Sequence, residues 1–408
     1  VHCRPKKPEI AVTEIAAIQQ ALRDEGLDAW LLYDFRGSNL LARRVLGMQA
    51  HEITSRRWFY CIPAGQPPRK LVHRIEPGVL DHLPGTRHVY LRWQELHQGL
   101  QELLAGCRRV AMEYAPRGNI PYLARVDAGT VELVRDCGAE VVSSGDLVQQ
   151  FEATWDDEQW HLHQQAGVLT DQAFDVAWRF IVQQVQQHGE VRETQVQQAI
   201  LEHFRRHALV TDHPPIVAAG PHSSDPHFAP SPLHDAPIRQ GDFVLVDLWA
   251  KLDQPRAVYS DLTRVAYVGR SVPQRYEEIF RIVAAARDAA IDRVRQAFAA
   301  GEPLRGWQVD RAARDVIERA GYGEYFVHRT GHSIGQETHG NGANMDDLET
   351  HDERRVLPRT CFSIEPGIYL GEFGIRSEIN VFVDAGGGVH VTAGEVQQHV
   401  LPLLQRYG

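Results

Sequence analysis

Four carboxylates stand in or at the ends of apolar, strand-like runs in the C-terminal half of this 408-residue chain. Asp247 closes Phe243-Val244-Leu245-Val246, and Asp261 lies within the run 257–263. Glu365 ends its run just before Pro366-Gly367, and Glu378 lies within the run 375–381. A carboxylate in a buried strand is costly unless it is paired or binds a cation. One such residue reads as a salt bridge. Four, with His332 between them in Gly331-His332-Ser333-Ile334-Gly335, read as a metal site. Four negative charges match two divalent cations, and oxygen ligands with one imidazole and no thiolate suit manganese, cobalt or zinc. The fold must therefore bring these segments to one point.

The local patterns say how. Asp247 and Asp261 are expected on adjacent strands of a hairpin joined through residues 251–255, which sets both carboxylates at one edge of a cation. Taken alone, the pair also reads as strand-end aspartates that cap turns. A period of two puts Arg376, Glu378 and Asn380 on one strand face, with Ile375, Ile379 and Val381 on the other. The glycines flanking His332 allow close backbone approach to a metal or substrate. The segment lacks the Lys and glycine spacing of a phosphate loop.

Helices are predicted near 156–187, 192–207, 273–300 and 307–320. In the last, Val309, Ala312, Ala313, Val316, Ile317 and Ala320 share a stripe that Gly321 can terminate. The segment from His213 to Pro237 is too proline-broken for a central strand or helix. A loop of that length inside a compact domain is more often functional than accidental. It carries His222, His227 and His234, each of which alone reads as a surface histidine.

At this length two domains are expected, with a boundary near residue 150. Residues 1–150 alternate helical and strand patterns, with strands at 29–33, 58–62, 70–73, 110–112 and 140–142 and helices near 15–22, 96–104 and 131–137. This predicts a small α/β domain without a phosphate loop or dinucleotide fingerprint. The polar loop Asp34-Phe35-Arg36-Gly37-Ser38-Asn39 is either a binding loop or a surface turn. The net charge of −10 argues against a nucleic-acid-binding surface. Five scattered cysteines fit neither a disulfide framework nor a Cys-x-x-Cys metal motif, so a reducing cytoplasm is expected. No apolar run approaches a membrane span, and residues 1–8 have no signal-peptide core.

The order Asp247, Asp261, His332, Glu365, Glu378 resembles the ligand set of the pita-bread metallopeptidases: methionine aminopeptidase, Xaa-Pro aminopeptidase and Xaa-Pro dipeptidase. The local contexts Ser260-Asp261-Leu262-Thr263-Arg264, Gly331-His332-Ser333-Ile334-Gly335, Ile364-Glu365-Pro366-Gly367 and Arg376-Ser377-Glu378 carry the likeness. Pro226-His227-Phe228 resembles the Pro-His-Tyr of the proline-specific branch, and His339 falls at its second substrate histidine. The resemblance implies an α+β protein: a C-terminal pita-bread catalytic domain over 151–408, preceded by a smaller α/β creatinase-type domain over 1–150. It also implies hydrolysis before proline by a hydroxide held between two divalent metals, with Asp261 and Glu378 bridging. Glu365 would move the proton, and His227 and His339 would stabilise the oxyanion or orient the substrate. Arg376 would pair with a carboxylate of the site or with the substrate's C-terminus. Arg36 and His328 are candidate substrate contacts, and a homodimer acting on proline-containing di- or oligopeptides is expected. Three departures bear on the substrate pocket: Gly340 follows His339 where the family usually has Glu, Ser333 stands where Gly is commoner, and Ile379-Asn380 rather than an acidic residue follows Glu378. An Xaa-Pro dipeptidase, an Xaa-Pro aminopeptidase and a non-catalytic peptide-binding module remain open; the complete ligand set disfavours the last.

Overall fold

A computed structural model of the protein describes residues 12–48, 52 and 54–408. Cys3 and the start of the chain lie outside these residues. The described chain divides into two compact units, the first ending at Glu152 and the second running Ala153–Gly408.

The first unit holds strands β1 (Ala29–Asp34), β2 (Trp58–Pro63), β3 (Arg69–His73), β4 (Thr86–Tyr90), β5 (Arg109–Met112) and β6 (Glu140–Ser143). Its helices are α1 (Val12–Asp24), α2 (Leu40–Val45), α3 (Trp93–Leu103), α4 (Ala128–Asp136) and α5 (Gly145–Val148). The strands form one mixed sheet in the order β4-β3-β2-β1-β5-β6. The sequence of β1 explains its central place. Trp30 and Leu32 face a core with Ile18 and Leu22 of α1, while Ala29, Leu31 and Tyr33 face a second core with Leu96 and Leu100 of α3. A strand apolar on both faces must be covered on both. β4 was not predicted, because Thr86, Arg87 and Val89 are exposed and an edge strand of this kind has no apolar alternation. α4 starts earlier than predicted because Asp127 caps it, accepting from the Thr130 N–H at 2.9 Å.

The second unit holds helices α6 (Asp157–His188), α7 (Glu193–Arg206), α8 (Gln274–Ala300), α9 (Gly306–Arg319) and α10 (Leu403–Arg406). Its strands are β7 (Glu190–Arg192), β8 (Leu209–Val210), β9 (Ile216–Ala219), β10 (Pro237–Arg239), β11 (Phe243–Leu252), β12 (Ser260–Tyr267), β13 (Ser333–Ile334), β14 (Cys361–Ile364), β15 (Gly367–Tyr369), β16 (Gly374–Arg376), β17 (Ile379–Val383), β18 (Val389–Thr392) and β19 (Leu401–Pro402). The helix limits fall within a residue or two of those predicted. Asp156 caps α6, and Gly189 and Gly301, both at positive φ, end α6 and α8. One sheet runs β19-β12-β11-β8 with β9 also paired to β11, and another runs β13-β14-β17-β18. β11 is buried on both sides: Val244, Val246 and Leu248 pack with Phe174, Trp178 and Ile181 of α6, and Phe243 and Leu245 with Phe280 and Val283 of α8.

Three expectations are corrected. The segment 213–237 is not all loop: it holds a short strand, β9, paired on one side with β11. Its four apolar residues keep their N–H groups, and the prolines at 214, 215 and 221 flank them. β11 does not close at Asp247 but continues to Leu252, because Leu248 and Ala250 carry on the buried alternation. The predicted strand through Arg376 and Asn380 is two strands. Ser377 and Glu378 leave the ladder between them and donate their N–H groups to Pro366 O and Thr263 O, each at 3.3 Å.

Candidate metal centre

The β11–β12 register sets Asp247 opposite Thr263 and Trp249 opposite Asp261. Directly opposed residues share a face, and so do residues two apart on one strand, so both aspartates point to the same side. A second ladder supplies the other ligands. β13 pairs with β14, and the Ser363 N–H donates to His332 O at 2.8 Å. β14 pairs with β17 through Ile364 opposite Ile379, so the next residues outward, Glu365 and Glu378, are neighbours. Asn380 joins the two ladders: its side chain accepts from the Asp261 N–H at 3.0 Å and donates to Asp261 O at 2.5 Å.

One ligand atom from each of Asp261, His332 and Glu378 lies within 4.8 Å of the others. His332 Nε2 is 3.4 Å from Asp261 Oδ2 and 3.5 Å from Glu365 Oε1. Its Nδ1 faces Ser333 O at 3.1 Å and so carries the proton, leaving the Nε2 lone pair for a cation. Thr263 Oγ1 donates to Glu378 Oε2 at 2.9 Å. Asp247 Oδ2 accepts from Arg376 Nη2 at 2.5 Å, while Asp247 Oδ1 is buried with no hydrogen-bond partner. Burial, then the charge of Asp247, pushes Asp261 well above the usual carboxylate range. Burial, then Asp261 and Glu365, does the same to Glu378. Burial also raises Glu365 and lowers His332. Such a group cannot hold its charges without cations. The orphaned Asp247 oxygen, the crowded carboxylates and the free imidazole nitrogen fit divalent metal ions.

These residues line a cavity of about 290 Å³ that also takes in His227, His328, His339 and Arg376. The His339 ring stands edge-on to His332 at 4.3 Å between centroids and is exposed to the cavity. His332, then burial, pushes the His339 pKa down to about 3. His328 accepts at Nε2 from the Tyr369 hydroxyl at 2.8 Å and donates from Nδ1 to Arg329 O, and burial keeps it neutral, with its pKa pushed down to about 3. Arg376 is buried, with its donors directed at Asp247 Oδ2, Thr263 Oγ1, the Tyr369 hydroxyl and Pro226 O. Of the two partners considered for it, the structure places it on the carboxylate of the site.

His227 reaches the cavity because its segment is tied at both ends. The buried Glu193 accepts from Ala219 N and Ala236 N, each at 2.7 Å, and from His222 Nδ1 at 2.9 Å. His222 stacks on Phe228 at 4.1 Å, next to His227, so it is a support rather than a free surface residue. His234 pairs with Ser231 across a tight turn. Gly331 does meet a close approach, but from its own fold: a Cβ there would lie 1.9 Å from Ser363 O. Arg36 lies in the first unit, exposed and at φ +59°, its guanidinium 5.8 Å from the Phe35 ring. Its loop is firmly built: the buried Asp34 accepts from the N–H groups of Gly37 and Asn39.

Asp212 and Arg329 also line the cavity, and sequence reasoning missed them together with Thr263 and Tyr369. Thr263 carried a usable signal, since it shares a strand face with Asp261. The others come from loops or from another strand, and nothing in their own neighbourhoods marks them.

Residues 161–385 match the model of metallopeptidase family M24. The chain belongs to this family. It is 38% identical over 192 residues to a probable dipeptidase, PepE, of Mycobacterium tuberculosis, covering 46% of each chain. It is 33% identical over 181 residues to an Xaa-Pro dipeptidase of Pyrococcus furiosus, covering 44% of this chain and 47% of that one. In these matches the chain spans about half the length of the curated relatives. The crystal structure of dipeptidase PepE from Mycobacterium ulcerans superposes with a TM-score of 0.68 at 25% identity, covering 98% of this chain and 99% of that one. The M24 chain thus has the pita-bread fold with a smaller α/β unit before it, and the family's divalent metal ions have a matching candidate site in Asp261, His332 and Glu378.

Proposed function

We propose that this M24 protein is an Xaa-Pro dipeptidase, a prolidase, in which Asp247, Asp261, His332, Glu365 and Glu378 would hold two divalent cations. Manganese is the first choice, with cobalt or zinc as alternatives. The observation that carries the reading is the convergence of all five residues on one cavity that His227, His328 and His339 also line. Cations bound there supply Lewis acidity and a water acidic enough to react near neutral pH. Glu365, raised by burial, suits the transfer of a proton from the attacking water to the prolyl nitrogen. His339 and His227 face the cavity and stabilise the oxyanion or orient the substrate. Tyr369 bonds both Arg376 and His328, so it fixes the orientation of two cavity residues at once. We place the protein in a homodimer in which Arg36, from its own or a neighbouring subunit, reads the substrate's carboxylate. A monomeric mass by light scattering at micromolar concentration, with activity intact, counts against that assembly.

An Xaa-Pro aminopeptidase is the second reading. It gains weight because Arg376 is engaged by the site itself and is not open to a substrate carboxylate. Turnover of Xaa-Pro against Xaa-Pro-Yaa-Yaa by the manganese-loaded protein decides between them. The dipeptidase reading expects the dipeptide to be favoured about tenfold or more, from one charge-assisted contact to its C-terminus. Equal turnover of the longer chain gives the aminopeptidase.

A further inference from the structure

Outside the metal-ligand set, one carboxylate on the cavity wall is held in place from two sides. Asp212 follows β8, in the segment leading to β9. Its Oδ1 accepts from Trp249 Nε1 at 2.6 Å, and Thr338 Oγ1 lies 3.3 Å from both its oxygens. Trp249 is two residues beyond Asp247 and directly opposite Asp261, and Thr338 immediately precedes His339. Asp212 is thereby tied at once to the ligand-bearing ribbon and to the His339 loop. A carboxylate that merely capped its own turn would take its bonds from its own segment; these side-chain donors come from two other segments.

Lys251 feels the charge of Asp212 but directs its ammonium at Gln336 O, at 2.5 Å. Among the described residues the ion-pair neighbour of Asp212 within 4 Å is His213, at 3.6 Å, and both side chains are exposed. Burial pushes Asp212 up, but Trp249, His213 and Thr338 together hold it below the usual carboxylate range. An ionised carboxylate with two hydrogen-bond donors retains free acceptor positions. The field of Asp212 reaches the centre, adding to the upward shift of Asp261 that burial and Asp247 dominate.

This step rests on the prolidase reading. In an Xaa-Pro dipeptide the proline carries the carboxylate and no cation, so every cationic group belongs to Xaa. We propose that Asp212 receives a cationic group of the residue before the scissile bond, an α-ammonium or the side chain of Lys or Arg. It is then a specificity determinant for peptides with a basic or free N-terminal residue.

The test uses the metal-loaded full chain and Asp212→Asn, which keeps an oxygen for Trp249 and Thr338 and removes only the charge. KM is measured for Ala-Pro and Lys-Pro, with metal content and equilibrium binding of free lysine, a product that is not consumed. The expected result is unchanged metal content, a KM for Lys-Pro raised about tenfold or more, and lysine binding weakened by a similar factor. A rise for Lys-Pro alone assigns the side chain, and an equal rise for Ala-Pro assigns the α-ammonium. Unchanged KM for both dipeptides, or equal lysine affinity in the two proteins, overturns the proposal. Wild-type protein that cuts neither dipeptide yet binds lysine in an Asp212-dependent way sinks the prolidase reading and leaves Asp212 as a cation receptor.

Discussion

Gly342→Ala is expected to destabilise the second unit, and Ser333→Gly is expected to rescue it. A Cβ on Gly342 would lie 2.6 Å from Ser333 Oγ, 3.2 Å from Ser333 Cβ and 3.3 Å from Ala153 Cβ. Ser333 cannot give way freely, because it is buried on β13 and its Oγ accepts from the Gly342 N–H at 2.9 Å. Turning the hydroxyl aside forfeits that bond, about 1 kcal/mol, and leaves the Cβ contacts, for which overpacking costs about 1–2 kcal/mol. The sum is about 2–3 kcal/mol, or a fall in Tm of about 5–10 °C for a domain of this size. Ser333→Gly alone loses the same bond and adds a glycine to a strand, about 1–2 kcal/mol. In the double variant the hydroxyl and its Cβ are gone, so the new methyl fits and the bond is counted once. Equilibrium urea denaturation of the four proteins, monitored by tryptophan fluorescence, should return a favourable coupling of about 2–3 kcal/mol, the whole cost of Gly342→Ala alone. Strict additivity refutes the claim that the hydroxyl and the glycine are fitted to each other.

Asp261→Ala and Glu378→Ala should each lose bound metal and turnover together, as measured by elemental analysis of the dialysed protein, and metal content equal to wild type in either variant would remove it from the bridging role. His332→Ala should lose metal, whereas His339→Ala should keep it and lose turnover by about 100-fold or more if the ring stabilises the oxyanion; equal metal loss in both variants would make His339 a ligand. His163 is buried against Tyr259 O and Thr392 Oγ1, and burial lowers its pKa from 6.5 to about 4. The unfolded chain therefore binds a proton between those values that the folded chain does not, so stability is lost as pH falls from about 6.5 to 4, by about 3 kcal/mol from this group. His163→Gln should flatten the acid limb of stability against pH over that window, and an unchanged limb would show that His163 titrates normally.

The convergence of Asp247, Asp261, His332, Glu365 and Glu378 on one cavity was legible because its signal is local: each carboxylate breaks an apolar run, and a buried charge demands a partner wherever the strand goes. The paired aspartates were legible for the same reason, since residues 251–255 permit a hairpin whose register places them on one face. What the sequence hides is the use of residues that no pattern distinguishes. β9 was concealed by prolines that flank a four-residue strand without entering it. Arg376 was left between a carboxylate of the site and the substrate's C-terminus because a strand pattern shows which face a side chain takes, not that Asp247, Thr263 and Tyr369 already wait there. Asp212 shows no periodicity and acquires a role only through Trp249 and Thr338, 37 and 126 residues away.

Two of the departures from the family pattern, at Ser333 and Gly340, show how far a linear reading can be recast. Ser333 and Gly340 stood in the sequence as separate oddities seven residues apart. In the fold, a Cβ on Gly340 would sit 2.9 Å from Ser333 Oγ and 3.1 Å from Gly335 N, and the Gly340 N–H donates to Ser333 O at 2.6 Å. A glutamate at 340 and a serine at 333 cannot both fit this geometry. The hydroxyl is the nearest atom to a Cβ at either 340 or 342, with the backbone of Ile334 and Gly335 adding to the crowding at 340 and Ala153 at 342. Ser333 O and Oγ accept from the Gly340 and Gly342 N–H groups and so hold the loop carrying His339, and Asp212 joins the same loop through Thr338.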